Sequence, residues 1–294
     1  MTSRKKFTLQ LRSGKLMLGE RTLVMGVLNV TPDSFSDGGK FFDAERAVEQ
    51  AMEMERRGAD LLDVGGESTR PGSAGISAQE ELARVLPVLR ALRGRLKIPV
   101  SIDTQKTEVA EAALDAGAQI INDISGLKSD PRIAKVAARR RVPLILMHMR
   151  GEPRTMQAGG FARDVMQDVM QGLRKSARVA RKSGVRKSQI ILDPGIGFGK
   201  SFAQNYELLQ KLPQLAKLGY PLLVGTSRKG FLGATLAREG KPAPPEERIW
   251  GTAATVTASI LNGAHIVRVH DVAEMVQVAR VADCLLDPKQ RPKN

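Results

Sequence analysis

Three acidic or amide side chains, each at the end of a short apolar run, carry the strongest chemical signal in this sequence. They are Asp103, Asn122 and Asp193. If the runs are neighbouring parallel strands, the three side chains meet at one edge, where each would cost roughly 1–3 kcal/mol if it were buried without a partner. Two carboxylates and an amide accept and donate hydrogen bonds, so they suit a flat heterocycle with an amino-amidine edge.

A second set of residues suits an anion. Arg268 and His270 lie two apart at the end of another apolar run, and Asn29 follows the run Leu23–Leu28. A cation pair beside an oxygen-rich loop is typical of a phosphate or diphosphate site, where Asn29 can reach a Mg²⁺ ion that bridges the oxygens. A histidine-built metal site is disfavoured because no second histidine lies at ligand spacing.

Two loops add further candidates. The stretch Met25–Gly39 combines a strand-like run with about fourteen residues rich in oxygen donors, which is long for a connection in an α/β protein and favours a functional loop over a solvated connector. Lys229 lies in Ser227–Gly230, directly after Arg228. We interpret it as a clamp for an anion or a ring; a Schiff-base lysine, as in barrel aldolases, is the alternative.

Composition limits the class of protein. The chain has 294 residues, 42% of them hydrophobic, enough for one large barrel or two ordinary domains. Cys284 is the lone cysteine, so an internal disulfide is excluded. No apolar run reaches the roughly 18 residues of a membrane span, and the basic N-terminus lacks the apolar segment of a signal peptide. We therefore expect a cytoplasmic protein without a membrane partner.

The formal net charge of +15 raises the possibility of a non-enzymatic basic protein that binds nucleic acid. Much of the excess lies in helix-like stretches such as Arg174–Ser183 and near both termini, which are typical of solvated outer faces. Aromatic residues make up only 4% of the chain, so stacking platforms for single strands are scarce. The charge is better explained by a basic surface and an anionic small substrate, and we expect no nucleic-acid partner.

Strand and helix signals alternate along the chain after a predicted N-terminal β-hairpin. Eight strand-like runs are each followed by a helical pattern, including one at Glu246–Leu261; the runs are Leu23–Leu28, Leu61–Val64, Val100–Asp103, Ile120–Asn122, Leu144–Met147, Ile190–Leu192, Leu222–Val224 and Ile266–Val269. This alternation predicts parallel strands, and eight units favour a single-domain (β/α)8 TIM barrel over a doubly wound sheet. We place the hairpin extension at 1–20, the barrel at 21–285 and a basic tail at 286–294.

A faint repeat in the sequence predicts how far along its strand each of several residues lies. Gly-Ala pairs open three of the strands, and the residues five positions after each glycine are Asp63, Asn122 and Arg268. Prolines open another set, and four positions after them come Asp103 and Met147, with Gly225. Since a glycine or proline marks the start of each strand, these offsets predict residues at the carboxyl ends, which form the active face of this fold.

The motifs that contain these residues resemble one known family, the dihydropteroate synthases. The resemblance covers about residues 22–283 and rests on Met25–Gly39, Asp63–Gly72, Ser101–Thr104, Ile121–Ile124, Met147–Met149, Leu192–Lys200, Ser227–Lys229 and Arg268–Asp271. It implies a homodimeric (β/α)8 transferase of folate synthesis. The reaction joins 4-aminobenzoate to the methylene carbon of 6-hydroxymethyl-7,8-dihydropterin diphosphate and releases diphosphate, with Mg²⁺, and sulfonamides would compete with 4-aminobenzoate.

The resemblance also implies roles for individual residues. The pterin site would contain Asp103, Asn122, Met147, Asp193 and Lys229. The diphosphate and Mg²⁺ would lie at Asn29, Arg268 and His270. The 4-aminobenzoate site would be lined by Thr69, Arg70, Pro71, Phe198 and Ser227. Catalysis would rest on Asp103, Lys229 and Asn29, with diphosphate leaving before the amine attacks; no general base is obvious, so positioning and electrostatics would supply the rate.

Two features depart from the family pattern, and three alternatives remain. Gly230 stands where serine is common, and Ile196 stands where an aromatic residue is frequent; neither is a proposed contact. A pterin-dependent methyltransferase barrel would share Asp103, Asn122 and Asp193 and would need cobalamin. The other two are the basic nucleic-acid-binding protein and a catalytically silent paralogue. Trp250 and the apolar segment Ala253–Ile260 are the candidate dimer interface.

Overall fold

A computed structural model describes residues 4–31, 40–68, 73, 75–151, 156 and 160–289; within the first helix, side chains are described from residue 44 onward. Two strands form an antiparallel hairpin, β1 (Phe7–Leu11) and β2 (Gly14–Leu18). Eight further strands are parallel: β3 (Leu23–Asn29), β4 (Leu61–Gly65), β5 (Val100–Asp103), β6 (Ile120–Asp123), β7 (Leu144–Met147), β8 (Ile190–Asp193), β9 (Leu223–Val224) and β10 (Ile266–Val269). All eight predicted strands are confirmed.

The parallel strands form a barrel. Hydrogen bonding gives the order β8-β7-β6-β5-β4-β3-β10-β9, and a parallel bridge between Leu192 and Leu222 joins the two ends. In a closed barrel β10 must lie beside β3, and the register confirms it, with Arg268 opposite Met25. The predicted (β/α)8 architecture is therefore correct.

The hairpin closes the bottom of the barrel. Leu9, Leu11 and Leu18 are buried and pack against inward-facing side chains at the amino ends of the strands, including Ile145 and Ile266. Gln189 fixes the edge of the hairpin, because its side chain accepts a hydrogen bond from the backbone N–H of Gln10 and donates one to the Gln10 carbonyl. The hairpin thus covers the amino ends of the strands, and their carboxyl ends are left for a ligand in the described part of the chain.

Helices surround the strands. The longer ones are α1 (Lys40–Arg56), α2 (Ala78–Leu92), α3 (Thr107–Ala116), α4 (Arg132–Arg140), α5 (Val165–Lys182), α6 (Phe202–Gln210), α9 (Ile249–Leu261) and α10 (Val272–Leu286), and the shorter ones are α7 (Leu212–Ala216) and α8 (Gly230–Thr235). The predicted helix at Glu246–Leu261 begins three residues later, at Ile249, because Pro245–Arg248 forms a 3-10 turn. None of the described helices has the length and apolar character that crossing a bilayer requires.

The outward-facing strand residues and the inner faces of the helices form one continuous apolar core. The opposite faces are solvated: in α5 the exposed residues include Arg174, Lys175, Arg178, Arg181 and Lys182. The prediction that the basic excess of this stretch lies on a solvated helix face is thus confirmed.

Candidate active site

Alternation along the strands builds the site. Side chains of successive strand residues point to opposite faces, so every second residue enters the barrel. The lower inward layer is apolar and contains Leu61, Ile120, Ile145, Ile191, Leu223 and Ile266. Two residues further along the same strands come Asp63, Asn122, Met147, Asp193, Gly225 and Arg268. A layer dominated by polar and charged groups therefore lies on an apolar floor, with Asp103 above Ser101 on β5.

The centre of this layer is an ion-pair network. Arg268 Nε donates to Asp63 Oδ2 at 2.6 Å and Nη2 donates to Asp103 Oδ2 at 2.9 Å. Asn122 Nδ2 donates to the same Asp63 oxygen at 2.9 Å. Burial and the neighbouring Asp63 carboxylate raise the pKa of Asp103. One arginine thus ties β10 to β4 and β5 and partly compensates two carboxylates.

The network leaves two buried acceptors over. Asp63 Oδ1 and Asn122 Oδ1 have no hydrogen-bond partner among the described residues. Because Asn122 donates to Asp63, its carbonyl oxygen is the atom that remains for a ligand. A buried acceptor without a donor is costly, which is why such atoms mark binding sites. The site therefore requires a ligand that presents N–H groups.

Asp193 completes the acceptor set. Its Oδ1 accepts a hydrogen bond from Gly195 N at 2.7 Å, and burial raises its pKa to about 6. Lys229 faces the same site, with its Nζ 4.0 Å from the centroid of the Phe198 ring. Burial and the charge of Arg268 lower the Lys229 pKa to about 8. At neutral pH the pair is a carboxylate and an ammonium group that can contact opposite edges of a polar ring.

An apolar wall borders these groups. Met147, at the end of β7, clusters with Ile124, Met149, Met156 and Phe198. Methionine adapts to flat ligands and contacts aromatic systems through its sulfur. This wall and the polar groups of β4, β6 and β8 together have the chemistry that a planar heterocycle requires, and the heterocycle site stays a prediction.

The predicted anion site differs in one respect. His270 contacts Ser227, with Nδ1 and Oγ 3.0 Å apart, and its backbone N–H donates to the same oxygen at 3.2 Å. Burial and the charge of Arg268 lower the pKa of His270 to about 3. The expected cation pair is therefore wrong at neutral pH: His270 is neutral, and the Arg268 guanidinium is directed to Asp63 and Asp103.

Asn29 lies at the end of β3, opposite Gly65 in the register with β4. A side chain at position 65 would place its Cβ 3.9 Å from Asn29 Oδ1 and 3.7 Å from Asp103 Oδ2. The two oxygens therefore border one small space; Asp103 Oδ2 already accepts from Arg268, and the amide oxygen of Asn29 is of the kind that a hard cation takes as a ligand. The described residues contain no cluster of three or more metal-ligating His, Cys, Asp or Glu side chains.

The remaining predicted residues divide into two groups. Ser227 and Phe198 are buried, and they contact His270 and Lys229 respectively. Thr69, Arg70 and Pro71 lie outside the described residues. The flanks of that loop are held by Lys106, which donates to Glu67 at 2.7 Å and to Glu81 at 2.5 Å.

Two residues of the site were missing from the predicted set. The offset of five residues from Gly58 predicts that Asp63 lies at the carboxyl end of its strand, but it gives Asp63 no chemical role. Lys200 is the second: its side chain is buried in the structure, which the position of a lysine after a glycine-rich run does not reveal. Burial of a lysine at this position can be predicted only when the residues that accept its hydrogen bonds are known.

Comparison with known proteins agrees with this geometry. The profile of a family described as pterin binding enzymes matches residues 25–270. A protein of Synechocystis sp. named dihydropteroate synthase is 52% identical over 267 residues, which cover 91% of each chain.

Solved structures give the same result. The dihydropteroate synthase of Xanthomonas albilineans, solved with 4-aminobenzoic acid, superposes with a TM-score of 0.87 at 40% identity and covers 98% of this chain and 100% of that one. The Yersinia pestis enzyme, solved with a sulfonamide drug complex, superposes with a TM-score of 0.88 at 41% identity and covers 96% and 100%.

Proposed function

The chain belongs to the pterin binding enzyme family and, within it, to the dihydropteroate synthases, which are transferases, and we propose the following roles for its residues in that reaction. The reaction joins 4-aminobenzoate to the methylene carbon of 6-hydroxymethyl-7,8-dihydropterin diphosphate and releases diphosphate. The observation that carries the proposal is the pair of buried acceptors, Asp63 Oδ1 and Asn122 Oδ1, for which the described residues supply no donor.

The pterin ring supplies the donor that Asn122 Oδ1 lacks. Its amino-amidine edge offers N–H groups to Asp193 and Asn122, and Lys229 donates to ring acceptors on the other side. Met147 and Phe198 contact the ring faces. Asp193 is negatively charged at neutral pH, since its pKa is about 6, so it accepts hydrogen bonds without first losing a proton. The polar layer thereby orients the methylene carbon toward the mouth.

The bond to diphosphate breaks before the new bond forms. The C–O electron pair leaves with the diphosphate, and the positive charge that develops on the pterin is stabilised by the Asp63 carboxylate and by the dipoles of the buried oxygens around it, those of Asp103 included. The amine nitrogen of 4-aminobenzoate then attacks the methylene carbon and loses a proton to solvent. Charge stabilisation and positioning supply the rate, and the chain needs no dedicated general base.

The leaving group lies at the ends of β10 and β3, with Asn29, Arg268 and His270. Of these Arg268 is the cation: its Nε and Nη2 donate to Asp63 and Asp103, and the N–H groups of Nη1 are proposed to donate to the diphosphate. Asn29 would hold a Mg²⁺ ion through its amide oxygen, which borders the space beside Asp103. When bound, the ion supplies charge neutralisation to the departing diphosphate.

The acceptor substrate lies above the pterin. Phe198 and Ser227 border this position, and Thr69, Arg70 and Pro71 are its remaining members in the proposal. The X. albilineans relative, solved with 4-aminobenzoic acid, supports this choice of amine, and the Y. pestis complex supports sulfonamides as competitors.

Assembly and location complete the proposal. We propose a cytoplasmic homodimer whose interface includes α9 and α10. Supporting this, Trp250 on α9 is 79% exposed, and Val281 and Leu285 on α10 are 64% and 58% exposed, which is unusual for large apolar side chains. Sedimentation of wild type and Trp250→Glu tests it, because a charge at a dimer interface would shift the population toward monomer.

A product assay tests the reaction. Purified protein is incubated with Mg²⁺, the pterin diphosphate and labelled 4-aminobenzoate, and each component is omitted in turn. We expect dihydropteroate and diphosphate in equal amounts, with no product when either substrate is omitted. Pterin binding without product, together with cobalamin-dependent methyl transfer, would instead support the methyltransferase alternative.

A further inference from the structure

Lys200 has a buried ammonium group surrounded by acceptors. The residue is 2% exposed, and its Nζ donates to the carbonyl oxygens of Gly195, Phe198 and His148 at 2.8, 2.9 and 3.2 Å. The ring nitrogen His148 Nδ1 lies 3.3 Å away. None of these contacts is a carboxylate, and burial lowers the pKa of Lys200 to about 7, so the group carries its positive charge mainly below that pH. The arrangement resembles the coordination of a monovalent cation by backbone carbonyls, with the cation attached to the chain.

The carbonyls converge because the loop after β8 is built from glycine. Gly195, Gly197 and Gly199 have φ values of 66°, 86° and 64°, a region that favours glycine. A Cβ on Gly195 would lie 1.9 Å from the carbonyl oxygen of His148, so no side chain fits there. The loops after β7 and β8 thus approach closely, with Lys200 Nζ between them.

His148 is held as a neutral acceptor. Burial and the charge of Lys200 lower the pKa of His148 far below its usual range, so its Nδ1 can accept from the ammonium group. The other ring nitrogen, Nε2, is 3.6 Å from Asp168 Oδ2 on α5. Gly172 makes room for the ring, since a Cβ there would lie 2.4 Å from His148 Cδ2. The surrounding side chains are therefore arranged around the position of Lys200 Nζ.

The same loop carries two groups of the proposed pterin site. Gly195, whose carbonyl oxygen accepts from Lys200, donates its N–H to Asp193 Oδ1 at 2.7 Å. Phe198, whose carbonyl oxygen also accepts from Lys200, presents its ring to Lys229 Nζ at 4.0 Å. A shift of this loop would move Phe198 and alter the hydrogen bonding of Asp193 at once.

We propose that Lys200 is a positioning residue for the reaction, acting as a tethered cation whose ammonium group holds three loop carbonyls and thereby fixes Phe198 and Asp193 for the pterin. The inference rests on the proposed function, since it explains how that site is kept in shape. It differs from a packing role in one measurable respect: what matters is a positive charge at the centre of the carbonyls, and not the aliphatic chain that delivers it.

Chemical rescue separates the two roles. Lys200→Ala removes the side chain and leaves space that ammonium or methylammonium can enter, whereas Lys200→Met fills the space with an uncharged chain of similar length. Pterin affinity is measured by titration, and kcat and KM are measured for both substrates. Each variant is assayed with ammonium chloride, methylammonium chloride and, at equal ionic strength, tetramethylammonium chloride, which is too large to enter.

We expect Lys200→Ala and Lys200→Met to lose about a hundredfold in kcat/KM for the pterin diphosphate, the loss that a displacement of about 1 Å can cause. Ammonium or methylammonium should restore at least about tenfold to Lys200→Ala, in a saturable manner, and nothing to Lys200→Met. Lys211→Ala serves as the control. Lys211 directly follows α6, whereas Lys200 precedes it, and the partly exposed Lys211 side chain pairs with Glu207 and not with the loop carbonyls.

Three results would overturn the inference. One is a Lys200→Ala variant that binds pterin and turns over like wild type. Another is equal rescue by tetramethylammonium, which would indicate a salt effect. The third is loss of fold in both variants without recovery in ammonium, which would assign Lys200 a structural role alone. Failure of the proposed function is distinguishable, since wild-type protein would then form no product whatever happens at Lys200.

Discussion

Arg268 Nε donates to Asp63 Oδ2 at 2.6 Å, reaching past β3 from β10 to β4. The same oxygen accepts from Asn122, so one atom of Asp63 orients both a cation and an amide of the proposed pterin site. The bond from Nε to Asp63 and that from Nη2 to Asp103 use two of the five N–H donors of the guanidinium, so Arg268 can hold both carboxyl groups and still donate to a diphosphate through Nη1.

The first prediction concerns Asp63. Asp63→Asn removes the charge that holds Arg268, and we expect the Kd of the pterin diphosphate to rise at least about tenfold, as is typical for the loss of a hydrogen bond to a charged group. Equilibrium titration measures it. Asp60→Asn is the matched control, since Asp60 immediately precedes the same strand, at its amino end, and pairs with Arg21. Equal effects of the two substitutions would contradict the role assigned to Asp63.

The second prediction concerns pH. Pterin binding needs Asp193 ionised and Lys229 protonated, and their pKa values are about 6 and about 8. A plot of kcat/KM for the pterin diphosphate against pH should therefore fall below about 6 and above about 8. Lys229→Arg should remove the alkaline fall, because arginine stays charged. A flat profile between pH 5 and 9 would show that neither group titrates in the free enzyme.

The third prediction separates stability from activity. Because burial raises the pKa of Asp193, the folded protein binds a proton there more tightly than the unfolded chain, so this carboxylate costs stability above pH 6 and the cost disappears as the pH falls toward 4. Asp193→Asn should raise the free energy of unfolding at pH 7.5 by up to about 3 kcal/mol while abolishing product formation. Urea unfolding at pH 7.5 and 4.5 measures it, and a destabilised variant at pH 7.5 would refute the argument.

The fourth prediction compares two glycines. Gly195 has a positive φ and lies against the His148 carbonyl, so Gly195→Ala forces the loops apart and should destabilise the protein by more than about 2 kcal/mol. Gly230 begins α8, and a Cβ added there would have no atom within 4 Å. Gly230→Ala should therefore leave the stability of the protein unchanged or raise it by up to about 1 kcal/mol. Thermal unfolding of the two variants checks both signs. Similar losses of stability in the two variants would mean that the close approach of the loops is not the reason why Gly195→Ala is destabilised.

The barrel and the positions of several candidate site residues along their strands were predictable because strand periodicity is local. Offsets from glycine and proline placed Asn122, Met147 and Arg268 at the carboxyl ends, as the structure has them. The partners of Arg268 were not predictable, because the choice between a carboxylate and a diphosphate depends on the distance across β3. The neutral state of His270 was missed for a related reason, since burial by distant residues sets its pKa.

Titration of the protein with the pterin diphosphate alone, without 4-aminobenzoate, tests the central claim most directly. The claim is that the buried acceptors at the strand ends bind the pterin ring before the amine is needed. Wild type should bind with a single site, and Asp193→Asn should bind at least about tenfold more weakly, because it replaces a charged acceptor. Equal affinity of wild type and Asp193→Asn, or no binding by either, would contradict the assignment of the polar layer as the pterin site.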